Sequence, residues 1–223
     1  MAFCNLDKAI YNGIGKYDIP EINPVYEIPD IKYWLGFNYV KRDYYCRDSV
    51  GVHFCLDDYQ FETIWNHPTK YIDKFKKCGI LCSPDFSLYS DFPLAIQIYN
   101  HYRKHWLAKF YQDRGVSVIP TIAWSDKSSY SWCFDGEPHH SIVAVSSTGV
   151  LKSAECLDLW YKGMDAMVKK LEPKEILCFT LTDKTDKINV YDNMRFVNVS
   201  TFKNKPQDNL KEKIKVKENI CFM

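Results

Sequence analysis

Apolar positions follow two alternating rhythms along this chain. Short, nearly continuous apolar runs at 33–39, 50–56, 79–83, 116–123, 141–146 and 175–181 read as strands buried on both faces. Between them the spacing turns helical. Residues 59–77 set Phe61, Ile64, Trp65, Ile72 and Phe75 three to four apart around a break at Pro68. Residues 93–114 repeat Leu94, Ile98, Tyr102, Trp106 and Phe110 every four positions, which predicts one apolar stripe facing a sheet. Pro93 in the first turn and Gly115 just past the end frame that helix. Residues 151–171 carry Leu157, Trp160, Met164, Met167 and Leu171 on one side. This alternation predicts an α/β fold with a parallel-rich sheet covered by helices. Only six good strands are present, and two connections look too short for a full helix. An irregular or incomplete (β/α) barrel is therefore expected, with an open doubly wound sheet as the alternative.

The flanks differ from this core. Residues 1–30 are rich in Tyr, Asn, Pro and Gly, with prolines at 20, 24 and 29, and read as an extended arm packed on a single domain over 31–202. After the run at 175–181 the signal weakens to β-rich pieces around Val190 and 196–199. Residues 203–223 form a lysine-rich tail with a possible edge strand at 214–216.

Composition narrows the function classes. A formal net charge of +1 gives no global field toward nucleic acid or membrane, so a nucleic-acid partner would have to use the lysine-rich tail. The basic helix segment His101, Arg103, Lys104, His105 and Lys109 reads as a solvated face. No apolar run approaches the roughly 20 residues of a membrane span, and the first residues lack the apolar core of a signal peptide. The expected place is the cytoplasm. Most of the nine cysteines sit inside apolar runs, Cys55, Cys82 and Cys178 among them, and read as small core hydrophobes. Cys133, His139 and His140 lack a fourth ligand at zinc spacing, so neither a metal nor another cofactor is expected.

Chemistry is sought where parallel strands end, because ligands bind beyond their carboxyl ends. That rim collects Asp57, Asp58, Asp85, Ser87, Trp124, Ser125, Asp126 and the 146–148 hydroxyls, with Trp132 and Asp135 nearby. An aromatic content of 16% fits a pocket with ring walls. Carboxylates against such walls suit sugar or nucleobase chemistry, one ionised and another kept protonated by burial. Asp85 and Asp126 are the catalytic candidates; Asp57, Asp58, Ser87, Trp124, Ser125, Trp132 and Asp135 are the binding candidates. Capping competes with this reading for Asp57, Asp58, Asp91 and Asp126, each of which precedes a helical pattern. Phosphate-loop, dinucleotide-loop, nucleophile-elbow and zinc-protease motifs are absent.

Four segments carry a resemblance: 57–62 (Asp-Asp-Tyr-Gln-Phe-Glu), 83–89 (Ser-Pro-Asp-Phe-Ser-Leu-Tyr), 118–126 (Val-Ile-Pro-Thr-Ile-Ala-Trp-Ser-Asp) and 133–136 (Cys-Phe-Asp-Gly). With them the chain resembles, from about Tyr17 to Phe179, the domain-of-unknown-function family 4417 of bacteria, phages and mobile elements. The resemblance implies a phage or mobile-element context and brings no activity. A weaker similarity, of architecture and of the Ile119-Pro120 strand, is to the barrel of tRNA-guanine transglycosylases, whose zinc-site pattern is missing here. Three functions follow as expectations. One is an enzyme, a hydrolase or glycosyl transferase, acting on a nucleoside, nucleotide or glycosidic bond. Another is a binding or inhibitor protein that sequesters a small molecule or host protein. The last is a nucleic-acid-binding replication or packaging factor.

Overall fold

The computed structural model describes residues 8–40, 46–181, 185, 188 and 191–199. An antiparallel pair, β1 (Gly13–Ile14) and β2 (Ile19–Pro20), opens the chain. Seven parallel strands follow: β3 (Tyr33–Gly36), β4 (Val50–His53), β5 (Ile80–Cys82), β6 (Val118–Ile119), β7 (Ile142–Ser146), β8 (Glu175–Thr180) and β9 (Met194–Asn198). They lie side by side in chain order, β3–β6 as one ladder and β7–β9 as another, joined at the Thr121–Ala144 bridge. Such an order has no reversal, as a doubly wound sheet would require. The fold is α/β with parallel sheets.

The sheet curls strongly. β3 and β8 stand five strands apart, about 24 Å in a flat sheet at roughly 4.8 Å per strand. Yet the rings of Trp34 and Phe179 meet at 5.1 Å, and His53 of β4 lies 5.5 Å from the same phenyl. Alternate residues of the strands converge on that concave side, among them Ile80, Cys82, Ile119, Ala144, Leu177 and Phe179. Their neighbours face outward under the helices. No closed ring of strands forms among the described residues, and the result is an incomplete barrel.

One end of this barrel is covered. Val25 exchanges bonds with Ser141 and Ile142 at the start of β7, and Lys32 donates to Ser49 O just before β4. The segment 25–32 thus runs beneath the strands' amino ends, and Val25, Ile28 and Ile31 enter the interior cluster. The carboxyl ends are left for the site.

Several elements depart from the expected bounds. The run at 33–39 is strand only to Gly36 and then turns into the short α1 (Phe37–Val40). The run at 116–123 holds just Val118–Ile119 as ladder, because Pro120 has no N–H to contribute. Residues 59–77 break at Pro68 as expected, into α2 (Glu62–Asn66), α3 (Ile72–Lys76) and intervening 3-10 turns. The long helices are α4 (Leu94–Gln112) and α5 (Ala154–Leu171). The possible strand at 214–216 lies outside the described residues.

Candidate functional site

The largest correction concerns α4. Its basic segment is not a solvated face: His101, Arg103, Lys104 and His105 are all buried, and Lys104 is only 2% exposed. Conversely Leu94, the first member of the expected apolar stripe, is 51% exposed. The first half of α4 turns polar groups inward, toward the carboxyl ends of β5 and β6.

Those groups clamp the segment that carries Asp85. Asn100 donates from Nδ2 to Ser87 O at 2.7 Å. The backbone N–H and hydroxyl of Ser87 both donate to the Asp58 carboxylate. Arg103 bridges Glu62 at 2.7 Å and Asp58 at 3.9 Å, its guanidinium carbon 3.6 Å from the centre of the Phe86 ring. On the other side, Ser83 and Thr121 exchange two bonds, at 2.7 and 2.8 Å, and Lys104 donates to Thr121 O at 3.0 Å. Side chains locked on both flanks make a preorganised strand end.

Asp85 itself is partly accessible but densely surrounded. Burial pushes its carboxyl up to about 7, opposed by the Lys104 ammonium and reinforced by Asp58. Near neutral pH it therefore both gives and takes protons. Cys55 and Cys82 share this end, their thiols pushed up by burial and then by Asp85. His53 is held neutral by burial, down to about 3.

Behind the clamp lies a buried ionic cluster that sequence reasoning missed. Lys104 Nζ donates to Glu137 Oε1 at 2.5 Å, and His105 Nε2 lies 3.0 Å from the same oxygen. Burial alone would raise the Glu137 carboxyl, but Lys104 and His105 outweigh it and hold it low. The signal was present in the sequence as polar residues at helical spacing, Gln97, His101, Lys104 and His105.

The remaining candidates take other places. Asp57 is exposed at the N-cap position of 58–60 without a side-chain cap bond, and its carboxylate accepts from Gln60 at 3.4 Å. Asp91 caps nothing, since the N-cap of α4 is Pro93. Asp126 is a cap: it accepts from the backbone N–H of Ser128 at 2.8 Å and from its hydroxyl, and these bonds lower its carboxyl. Ser125 bonds Gln97, and Trp124 lies so close to Gly163 of α5 that an added Cβ would sit 2.0 Å from its Nε1. Trp132 is core, edge-on to Tyr17 and His101. Asp135 presents its carbonyl to His101. Cys133 is buried while His139 and His140 are exposed. Asp58, Asp85 and Ser87 thus come together, and Asp126 belongs to its own turn.

Against known proteins, the pattern of the family described as Domain of unknown function (DUF4417) matches residues 11–203. The chain belongs to this family. It is 35% identical over 179 residues to the Gene 1 protein of Mycobacterium phage L5, covering 74% of this chain and 78% of that protein. It is 32% identical over 175 residues to the Gene 1 protein of Mycobacterium phage D29, covering 78% of this chain and 64% of that one, just under two thirds. No solved structure matches the chain. Among the described residues, no helix is long and apolar enough to cross a membrane.

Proposed function

We propose that the open end of the barrel is a catalytic pocket in which Asp85 exchanges a proton with a small substrate. The reaction best suited to it is hydrolysis or transfer at the glycosidic bond of a nucleoside, nucleotide or related compound. One observation carries this reading: a clamped carboxyl at a strand end with its pKa raised to about 7, beside a buried ammonium. Asp85 would act as general acid on the leaving group, and Lys104 would steady the carboxylate left behind. Asp58 is a positioning residue, since its oxygens are engaged by Ser87 and Arg103.

The test pairs activity with stability. The full chain is incubated with nucleosides and nucleotides at pH 7 and free base is followed by chromatography; Asp85→Asn should abolish any release. The variant should also be more stable above pH 7. The folded state favours protonated Asp85, so wild-type stability falls as pH rises from about 4 to about 7. The penalty above that window is at most about 4 kcal/mol, and Asn escapes it. A melting-temperature gap that grows from pH 4 to pH 8 is expected. Base release that survives in Asp85→Asn would sink the assignment.

A second reading has its own observation. Tyr59, Tyr89, Leu94, Ile96 and Tyr99 are exposed, Tyr59 by 78%, on segments that follow β4 and β5. A rim of this kind favours a protein that binds a host macromolecule. No turnover on any substrate, together with capture of one stoichiometric host protein that Tyr59→Ser and Tyr89→Ser abolish, would establish it instead. The lysine-rich tail, the basis for a nucleic-acid partner, lies outside the described residues.

A further inference from the structure

The buried cluster behind the clamp has more donors prepared than it uses. His101 Nε2 lies 3.0 Å from Asp135 O, a pure acceptor, so that nitrogen carries the proton and Nδ1 is a bare lone pair. His105 lies between two acceptors, Nδ1 2.8 Å from Pro20 O and Nε2 3.0 Å from Glu137 Oε1. Lys104 donates to that same Oε1, and Glu137 Oε2 is left over. His101 Nδ1 and Glu137 Oε2 are both buried with no hydrogen-bond partner among the described residues. A buried acceptor without a donor costs on the order of 1–3 kcal/mol, and two in one buried cluster need an explanation.

We propose that His101, His105 and Glu137 bind a divalent metal ion of zinc type. The donor atoms of the three residues lie within 4.8 Å of one another, so small side-chain rotations suffice to bring them to one ion. His101 and His105 are four apart on α4 and present one face. Every ligand has its outer partner already in place: Asp135 O on His101, Pro20 O on His105, and Lys104 on the carboxylate. Outer contacts of this sort fix the tautomer and orientation of metal ligands. Gly136 adds to the case: it sits at φ +77°, and a Cβ there would come within 2.7 Å of His105 Nδ1 and 2.6 Å of Pro20 O. Two imidazoles and a carboxylate suit Zn²⁺, with a water as fourth ligand. All three residues are buried, and the ion would tie α4 to the segments around Pro20 and Glu137.

The test uses tag-free full chain and needs no substrate, so it stands or falls apart from the Asp85 reading. Metal analysis after dialysis against Zn²⁺ should give one zinc per chain, and Co²⁺ should give the visible bands of a tetrahedral site. A chelator should lower the melting temperature by several degrees. His101→Asn and Glu137→Gln should each lose the bands while the helical circular dichroism is kept. Should either variant unfold, Gly136→Ala, which crowds His105 without touching a ligand atom, should weaken Co²⁺ binding at least tenfold. Wild-type protein that takes up neither ion, or variants that bind as well as wild type, would overturn the proposal.

Discussion

Helices α4 and α5 are near equals in length, 19 and 18 residues, and both follow a strand of the same curled sheet. They bury opposite surfaces. α5 packs Trp160, Gly163, Met164, Met167 and Leu171 inward, and Ser153 caps its first turn through a bond from the N–H of Cys156. α4 has no side-chain cap, and up to His105 it buries Gln97, Asn100, His101, Arg103, Lys104 and His105. Only from Trp106 onward does it pack as a core helix, with Leu107, Phe110 and Tyr111. Burial of apolar surface stabilises at little risk. Burial of charges stabilises only when every partner is present. Thus α5 packs as a core helix, whereas α4 gives up some apolar burial to hold polar and charged groups behind Asp85, the trade expected if the proposed site is real.

The strongest way to break this contrast is to remove one charge from α4. Lys104→Met in metal-free protein leaves Glu137 buried without its cation and should cost about 3–5 kcal/mol in urea unfolding. Lys104→Met with Glu137→Leu should recover most of that loss, because a matched apolar pair needs no ion. A single-variant cost below about 1 kcal/mol would mean that Glu137 is neutralised by something other than the ammonium. On α5 the expected effect is of another kind. Met164→Ala opens a cavity in a fully buried site and should cost about 2–5 kcal/mol, with no change in the pH dependence of stability.

The same contrast explains what the sequence made legible. The stripe on α5 obeys helical periodicity, and the pattern picks four of its buried residues, Trp160, Met164, Met167 and Leu171. The strands 142–146 and 175–180 are equally plain, since continuous apolar runs between helices have few other readings. Asp85 could be reached because it follows a strand end, behind Pro84, too far from α4 to serve as its cap. The cluster behind it was missed, because the apolar stripe takes Lys104 and His105 for solvent-facing residues although they share a helical spacing with Gln97 and His101. Only their complement, Glu137, some thirty positions later, reveals that they point inward. Asp126 failed for the opposite reason. Placed before Lys127, Ser128 and Ser129 it fits a strand-end site and a cap equally well, and the bond from Ser128 decides for the cap.

The smallest expected effect is also the most direct test of α4's orientation. Leu94 and Ile96 are 51% and 45% exposed, although their residue types elsewhere define core stripes. Because each keeps about half its surface in water on folding, Leu94→Ser with Ile96→Ser should change the free energy of unfolding by no more than about 1 kcal/mol. The paired change on α5, Met167→Ser with Leu171→Ser, replaces two fully buried side chains and should unfold the protein outright. Urea titration of both double variants at one pH makes the comparison. If the α4 variant loses more than about 2 kcal/mol, those side chains are buried in solution and α4 is rotated from the orientation described, which would remove Lys104 from Thr121 and Glu137. If stability holds while capture of a host protein is lost, the exposed rim is a docking surface, and the polar inner face and apolar outer face of α4 then serve two different ligands.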